Sequence, residues 1–112
     1  MKQVILDTSF ILSCARQKID FFEEILHGGM QAVIPIQTIS ELEGLKAELA
    51  LKMLNKNEFE TIDIPGKDAD TAIINISKKN PSAIIATLDR DLQKKLKNPK
   101  MIIRGRKRLE IV

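Results

Sequence analysis

The chain has 112 residues, 44% of them hydrophobic and 29% charged, a balance that suits one globular domain spanning residues 1–112 and excludes a disordered chain. Four Phe with no Trp or Tyr argue against base stacking on exposed rings, and a single Cys with a single His excludes an internal disulfide and a structural zinc site. The net charge is only +3, yet eight Lys or Arg and no acid lie between Asp91 and Glu110, so the remainder is net acidic.

Met1-Lys2-Gln3 leads at once into an apolar run too short for a signal peptide. No stretch approaches the length of a membrane span, so a cytoplasmic protein with no membrane association is expected. Val4-Ile5-Leu6 predicts a short buried strand that ends at Asp7. Thr8 or Ser9 can cap a helix through Phe10–Ala15. Asp20 opens a second helix, with Glu23 in the capping-box position and Phe22, Ile25 and Leu26 as its apolar stripe; Gly28-Gly29 stops it. Ala32–Ile36 reads as a second strand ending near Pro35.

Thr38 begins a third helix with Ile39, Leu42, Leu45 and Leu49 on one face, bent or interrupted at Gly44 and helical again from Ala47 to Asn55. Glu60–Ile64 alternates as a third strand before Pro65-Gly66. Asp68 caps the next helix, whose core face is Ala69, Ala72, Ile73 and Ile76 and which ends at Asn80-Pro81. Ala83–Leu88 is a strand, followed by Asp89 and a short helix over Asp91–Lys97, closed by Asn98-Pro99. Met101–Ile103 is a further strand, Gly105 sits in a basic turn, and Leu109–Val112 forms an edge strand or a packed tail. This alternation predicts an α/β/α three-layer fold around a central, mainly parallel sheet.

The chemistry lies in the acids. Ligands bind at the carboxyl edge of a parallel sheet, and Asp7 and Asp89 each end an apolar strand there. The bland alternative is that each merely caps the helix behind it. Glu41 follows the second strand, although Thr38-x-x-Glu41 also matches a capping box. Asp70 opens the helix after Asp68, where an acid also suits the helix dipole. Taken together, four acids fall at the starts of four helices that can share one edge. Gathered carboxylates need a positive partner, and oxygen ligands without His or Cys select Mg²⁺ or Mn²⁺. Such a cation activates water and stabilises charge on a phosphodiester. Asp91 is either a further ligand or a cap.

Four segments then carry a family resemblance: Ile5-Leu6-Asp7-Thr8-Ser9, Ser40-Glu41-Leu42, Asp68-Ala69-Asp70, and Ile85-Ala86-Thr87-Leu88-Asp89-Arg90-Asp91-Leu92. Over nearly its whole length the chain resembles the PIN-domain ribonucleases. Thr87 to Leu92 looks most like the branch associated with ribosomal RNA processing, and Arg104-Gly105-Arg106-Lys107 resembles small stand-alone prokaryotic members. The resemblance implies a PIN-like fold and a Mg²⁺- or Mn²⁺-dependent endoribonuclease. Asp7, Glu41, Asp70 and Asp89 would be its metal-binding catalytic acids and Asp91 an accessory one. Thr8, Ser9 and Thr87 would position acid, water or phosphate. It also implies a homodimer, with apolar residues around Phe21, Phe22 and Met53 offering some support. RNA is the expected partner, held by Arg104, Arg106, Lys107 and Arg108, whose bland alternative is a solvated basic face.

Two biological settings compete, ribosomal RNA processing with a ribosome-assembly partner and a ribonuclease toxin paired with an antitoxin. Two other classes are weaker. An aspartyl-phosphate enzyme commonly has a second acid two residues after its nucleophile, where this chain has Ser9. A catalytically silent RNA- or protein-binding module would not need every acid in place.

Overall fold

Strand β1 (Lys2–Leu6) lies inside the sheet because its last three residues, Val4, Ile5 and Leu6, are apolar on both faces and fully buried. A computed structural model describes residues 1–112 and places β1 between β2 (Met30–Pro35) and β4 (Ile84–Ala86), both parallel to it. The six-stranded order is β3-β2-β1-β4-β5-β6, with β3 (Glu60–Ile62) and β5 (Lys100–Arg104) parallel and only β6 (Arg108–Ile111) antiparallel. The chain runs outward one way from β1 through β2 and β3, then returns to its other side at β4. That reversal opens a crevice at the carboxyl ends of β1 and β4, the usual ligand position in such sheets.

Period-two alternation along the strands divides the core. Val4, Leu6, Ile34, Ile84 and Ala86 join one apolar cluster, while Ile5, Val33 and Ile85 join the other. The first cluster is covered by α1 (Thr8–Gln17), α2 (Phe21–His27), α3 (Ile36–Gly44) and α4 (Glu48–Asn55). The second is covered by α5 (Ala69–Lys79), through Ala72, Ile73 and Ile76, and by α6 (Arg90–Lys94), through Leu92. Phe10 meets Phe21 edge to face at 5.7 Å, anchoring α1 to α2. No helix is long and apolar enough to cross a membrane.

Several local expectations are corrected. Leu45 and Leu49, expected on the core face of one long helix, are 61% and 67% exposed. Helix α3 stops at Gly44, and Lys46 adopts a left-handed φ of 52°. The helical phase is thereby reset, and α4 instead buries Ala50 and Leu54, four residues apart. Leu26 is likewise 73% exposed, and Phe21 takes the expected place in the stripe of α2. Thr38 starts no helix: α3 begins at Ile36, and the buried Thr38 hydroxyl donates to Leu6 O at 3.2 Å. Neither Thr8 nor Ser9 is the cap of α1, because Asp7 holds that position. Asp20 does cap α2, accepting from Glu23 N–H at 3.1 Å. Leu109–Ile111 belongs to an edge strand, opposite Ile103 to Met101.

Candidate active site

Leu6 and Ala86 are register partners, so the chains that leave β1 and β4 start side by side. Asp7 N–H still donates to Ala86 O at 2.9 Å, which fixes the Asp7 backbone on the sheet edge. Its carboxylate makes no capping bond to α1 although Asp7 stands at the cap position. It faces the crevice instead. Thr87, fully buried, donates from Oγ1 to Asp7 Oδ2 at 2.7 Å and accepts from Asp89 N–H at 3.1 Å. Ser9 Oγ donates to the same Asp7 Oδ2 at 3.1 Å and accepts from Leu88 N–H at 3.2 Å. Two hydroxyls thus stitch the end of β4 to Asp7, so the Thr-x-Asp step works as a geometric unit.

Asp89 takes the capping role. Its Oδ1 accepts from Asp91 N–H at 2.9 Å and Leu92 N–H at 3.2 Å, capping α6. Oδ2 takes no part in that cap. Asp91 is exposed and is not the cap: it lies inside α6, and its backbone N–H donates to the capping Asp89.

Glu41 makes no capping box with Thr38. Its Oε1 accepts from Thr8 Oγ1 at 2.7 Å and its Oε2 from Ala69 N–H at 2.8 Å. One carboxylate therefore ties the first turn of α1 to the first turn of α5. The neighbouring acids of α5 divide their work. Asp68 accepts from Thr71 N–H at 2.9 Å and caps the helix; that bond holds its carboxyl below the usual range. Asp70, two residues further, remains on the exposed rim of the crevice.

The electrostatics follow from this crowding. Burial pushes the Asp7 carboxyl up, the hydroxyls of Thr87 and Ser9 oppose that shift, and Glu41 adds to it. Asp70 is also raised, by partial burial first and then by Asp7, Asp89, Asp68 and Glu41. No cation of the chain neutralises the group: the two ion pairs, His27–Glu23 and Arg104–Glu110, lie elsewhere. A set of mutually repelling carboxylates with hydroxyls beside it and no His or Cys fits a hard divalent cation. In this arrangement Asp7, Glu41 and Asp89 are each held by hydrogen bonds to the protein, and no three acids converge tightly enough to enclose one ion. A surface cleft of about 590 Å³ lies apart from Asp7, Glu41, Asp70 and Asp89, at the amino ends of β2 and β3 beside Phe22, Ile25, Met30 and Phe59.

A family described as a PIN like domain matches residues 4–108, nearly the whole chain. The chain belongs to the PIN-like domain family. It is 32% identical to Ribonuclease VapC4 of Methanocaldococcus jannaschii over 127 aligned positions, covering 99% of this chain and 97% of that protein. It is 31% identical over 101 positions to rRNA-processing protein fcf1 of Schizosaccharomyces pombe, covering 84% of this chain but only about half (53%) of that protein. Among solved structures, the PIN domain endonuclease Utp24 superposes with a TM-score of 0.84 at 27% identity, over 97% of this chain and 90% of the other.

In this PIN-like domain the basic turn lies toward the same sheet edge as the acids. Strand β5 runs parallel to β1, so Arg104 and the turn after it lie at the same carboxyl edge as the acids. Strands are about 4.8 Å apart, which puts β5 roughly 10 Å to the side of β1. Gly105 and Lys107 adopt φ of 60° and 56°, making the tight turn. Arg104 and Arg108 are register partners, a repulsive pairing that Glu110 relieves by binding Arg104 at 2.7 Å. Arg106, Lys107 and Arg108 remain exposed and without an ion pair.

Sequence reasoning missed the polar residues that bind backbone at a distance. Thr38 reaches Leu6 O, and Gln93 Nε2 reaches Thr87 O at 2.8 Å. Asn98, 4% exposed, donates to Asn80 O and Ala83 O, pinning the entry to β4. The only available signal was a polar residue at a position that the local pattern would bury.

Proposed function

We propose that the chain is a divalent-metal-dependent endoribonuclease that hydrolyses RNA phosphodiester bonds. The observation that carries this reading is the Asp7–Thr87–Asp89 linkage at the crevice between β1 and β4, with Asp70 and Glu41 beside it and no internal cation. The likeness to a ribonuclease and to a PIN domain endonuclease supports it. Asp7, Asp70 and Asp89 would hold Mg²⁺ or Mn²⁺, with Glu41 close by. When bound, that ion lowers the pKa of water and neutralises developing phosphate charge.

The chain's own residues do the rest. Thr87 and Ser9 fix the Asp7 carboxylate and keep it from rotating into a cap. Glu41 holds two helix starts around the crevice. Arg106, Lys107 and Arg108, at the same edge, grip the RNA backbone that the acids alone would repel. Hydrolysis by water, without a ribose 2′-hydroxyl attack, leaves a 5′-phosphate and a 3′-hydroxyl. His27, the one histidine, is an exposed residue at the end of α2 and supplies no acid–base partner to the crevice.

Ribosomal RNA is the favoured target, a reading supported by the likeness to an rRNA-processing protein. Thermal melting with and without Mn²⁺ tests the site. A ligand at a hundred times its Kd stabilises the fold by about 2.7 kcal/mol. The wild type should melt higher with Mn²⁺, and Asp7→Asn should lose most of that rise while still folding. Equal shifts in both proteins would remove Asp7 from the site.

A further inference from the structure

The connection between β3 and α5 delivers Asp70 to the crevice, and three consecutive carbonyl oxygens in it are held by side-chain amides. Gln37 Nε2 donates to Ile64 O at 2.7 Å and to Gly66 O at 3.0 Å, and Asn75 Nδ2 donates to Pro65 O at 2.6 Å. Gln37 lies one turn before Glu41 on α3, so the two side chains share a face of that helix. Gln37 holds the carbonyls ahead of α5 while Glu41 holds the Ala69 N–H at its start. The connection is also pressed inward: a Cβ on Gly66 would lie 2.6 Å from Ala72 N.

The choice of amides has a physical reason. Asp70, the second residue of α5, lies among the like charges of Asp7, Asp89, Asp68 and Glu41, which push the start of that helix and the connection before it away from the crevice. Lys or Arg could bind the same carbonyls, but would bring a cation to carboxylates that must stay unpaired. A carboxylate cannot donate at all when ionised. An amide supplies two donors and no charge. Gln37 spends both, and its buried Oε1 is left without a partner. Flipping the amide would aim that oxygen at two carbonyl oxygens, so the orphan acceptor is the consequence of keeping both donors on the loop.

We propose that Gln37 and Asn75 are positioning residues, a neutral clamp on the β3–α5 connection that keeps Asp70 at the carboxylate group. The clamp stands on its own geometry, and its catalytic consequence rests on the nuclease reading. Gln37→Met keeps the side-chain length and removes the donors; Asn75→Leu does the same on the other side and removes only one bond. Amide hydrogen exchange, Mn²⁺ affinity by calorimetry, and kcat and KM on a single-stranded RNA are measured for each. Ile25→Val, in the core cluster that does not contain Ile64, serves as the control for lost stability alone.

The clamp predicts that exchange at Ala69–Thr71 accelerates about tenfold or more while β1 and β2 are unaffected. Mn²⁺ affinity should fall by about ten- to a hundredfold, the usual effect of removing a group that orients a metal-binding side chain. kcat should fall with KM nearly unchanged, because the basic turn is untouched. Unaltered exchange at Ala69–Thr71 in both variants, or a loss of Mn²⁺ affinity no greater than in Ile25→Val, overturns the proposal. If Gln37→Met does not fold, Asn75→Leu decides by the same criteria. A wild-type protein that binds no Mn²⁺ would defeat the nuclease reading, while the exchange measurement would still decide the clamp.

Discussion

At the scale of single residues, the acids separate into those that cap helices and those that do not. Asp68 and Asp89 cap, Asp7 occupies a cap position without capping, and Asp70 is left among like charges. Asp7 and Asp70 both have raised carboxyl pKa values, so protonation is easier in the folded state than in the unfolded one. Their contribution is therefore most favourable below the ordinary carboxylate value and is lost as pH rises through the folded pKa. Without divalent cation, Asp70→Asn should melt higher than wild type at pH 7, with the gap closing below about pH 4, where unperturbed carboxylates protonate. A pH-independent gap in calorimetric scans would contradict the assigned repulsion. Thr87→Val should destabilise by about 1–3 kcal/mol, because Asp89 N–H loses its acceptor and the buried Asp7 Oδ2 keeps only Ser9 as a donor. Denaturant unfolding measures it. Asp7 was legible in the sequence because an apolar strand ends at it; β4 stops at Ala86 rather than at the expected Leu88, so Asp89 follows the strand by three residues. The loss of the Thr38–Glu41 capping box was not legible, since Glu41 finds its partners at Thr8 and Ala69, 33 and 28 residues away.

At the scale of elements, strands were read well and helix phase less so. β1 and β4 are continuous apolar runs bounded by polar residues, and nothing competes with that reading. The leucines after Gly44 followed the helical period, but a left-handed Lys46 resets the phase, and no local pattern announces a positive φ at lysine. The difference is measurable. Leu49→Gln, on the exposed face, should change stability by no more than about 0.5 kcal/mol. Leu42→Ala, fully buried between α3 and the first cluster, should cost about 2–5 kcal/mol. Comparable losses for the two in urea titrations would restore the single long helix.

At the scale of the whole molecule, parallel strand order brings an acidic crevice and a basic turn to one edge, from segments remote in sequence. The order of acids pointed to this edge from the sequence alone; the place of the basic turn depended on β5 being parallel and β6 returning beside it. Replacing Arg106, Lys107 and Arg108 with Ala should weaken RNA binding and flatten the slope of log K against log[salt] by up to about 2, at about 0.7 per phosphate on a single strand. Mn²⁺ binding should be nearly unchanged, and an unchanged salt slope would move the RNA path elsewhere. Hydrolysis at the carboxylate crevice with a divalent cation would be recorded in the chemistry of the cut ends. End-labelled single-stranded RNA is incubated with wild type and Asp7→Asn in Mn²⁺ or in EDTA, and product termini are read by ligation and phosphatase sensitivity. Wild type in Mn²⁺ alone should give 5′-phosphate and 3′-hydroxyl ends; cyclic phosphate ends, or full cleavage in EDTA, would rule out that chemistry.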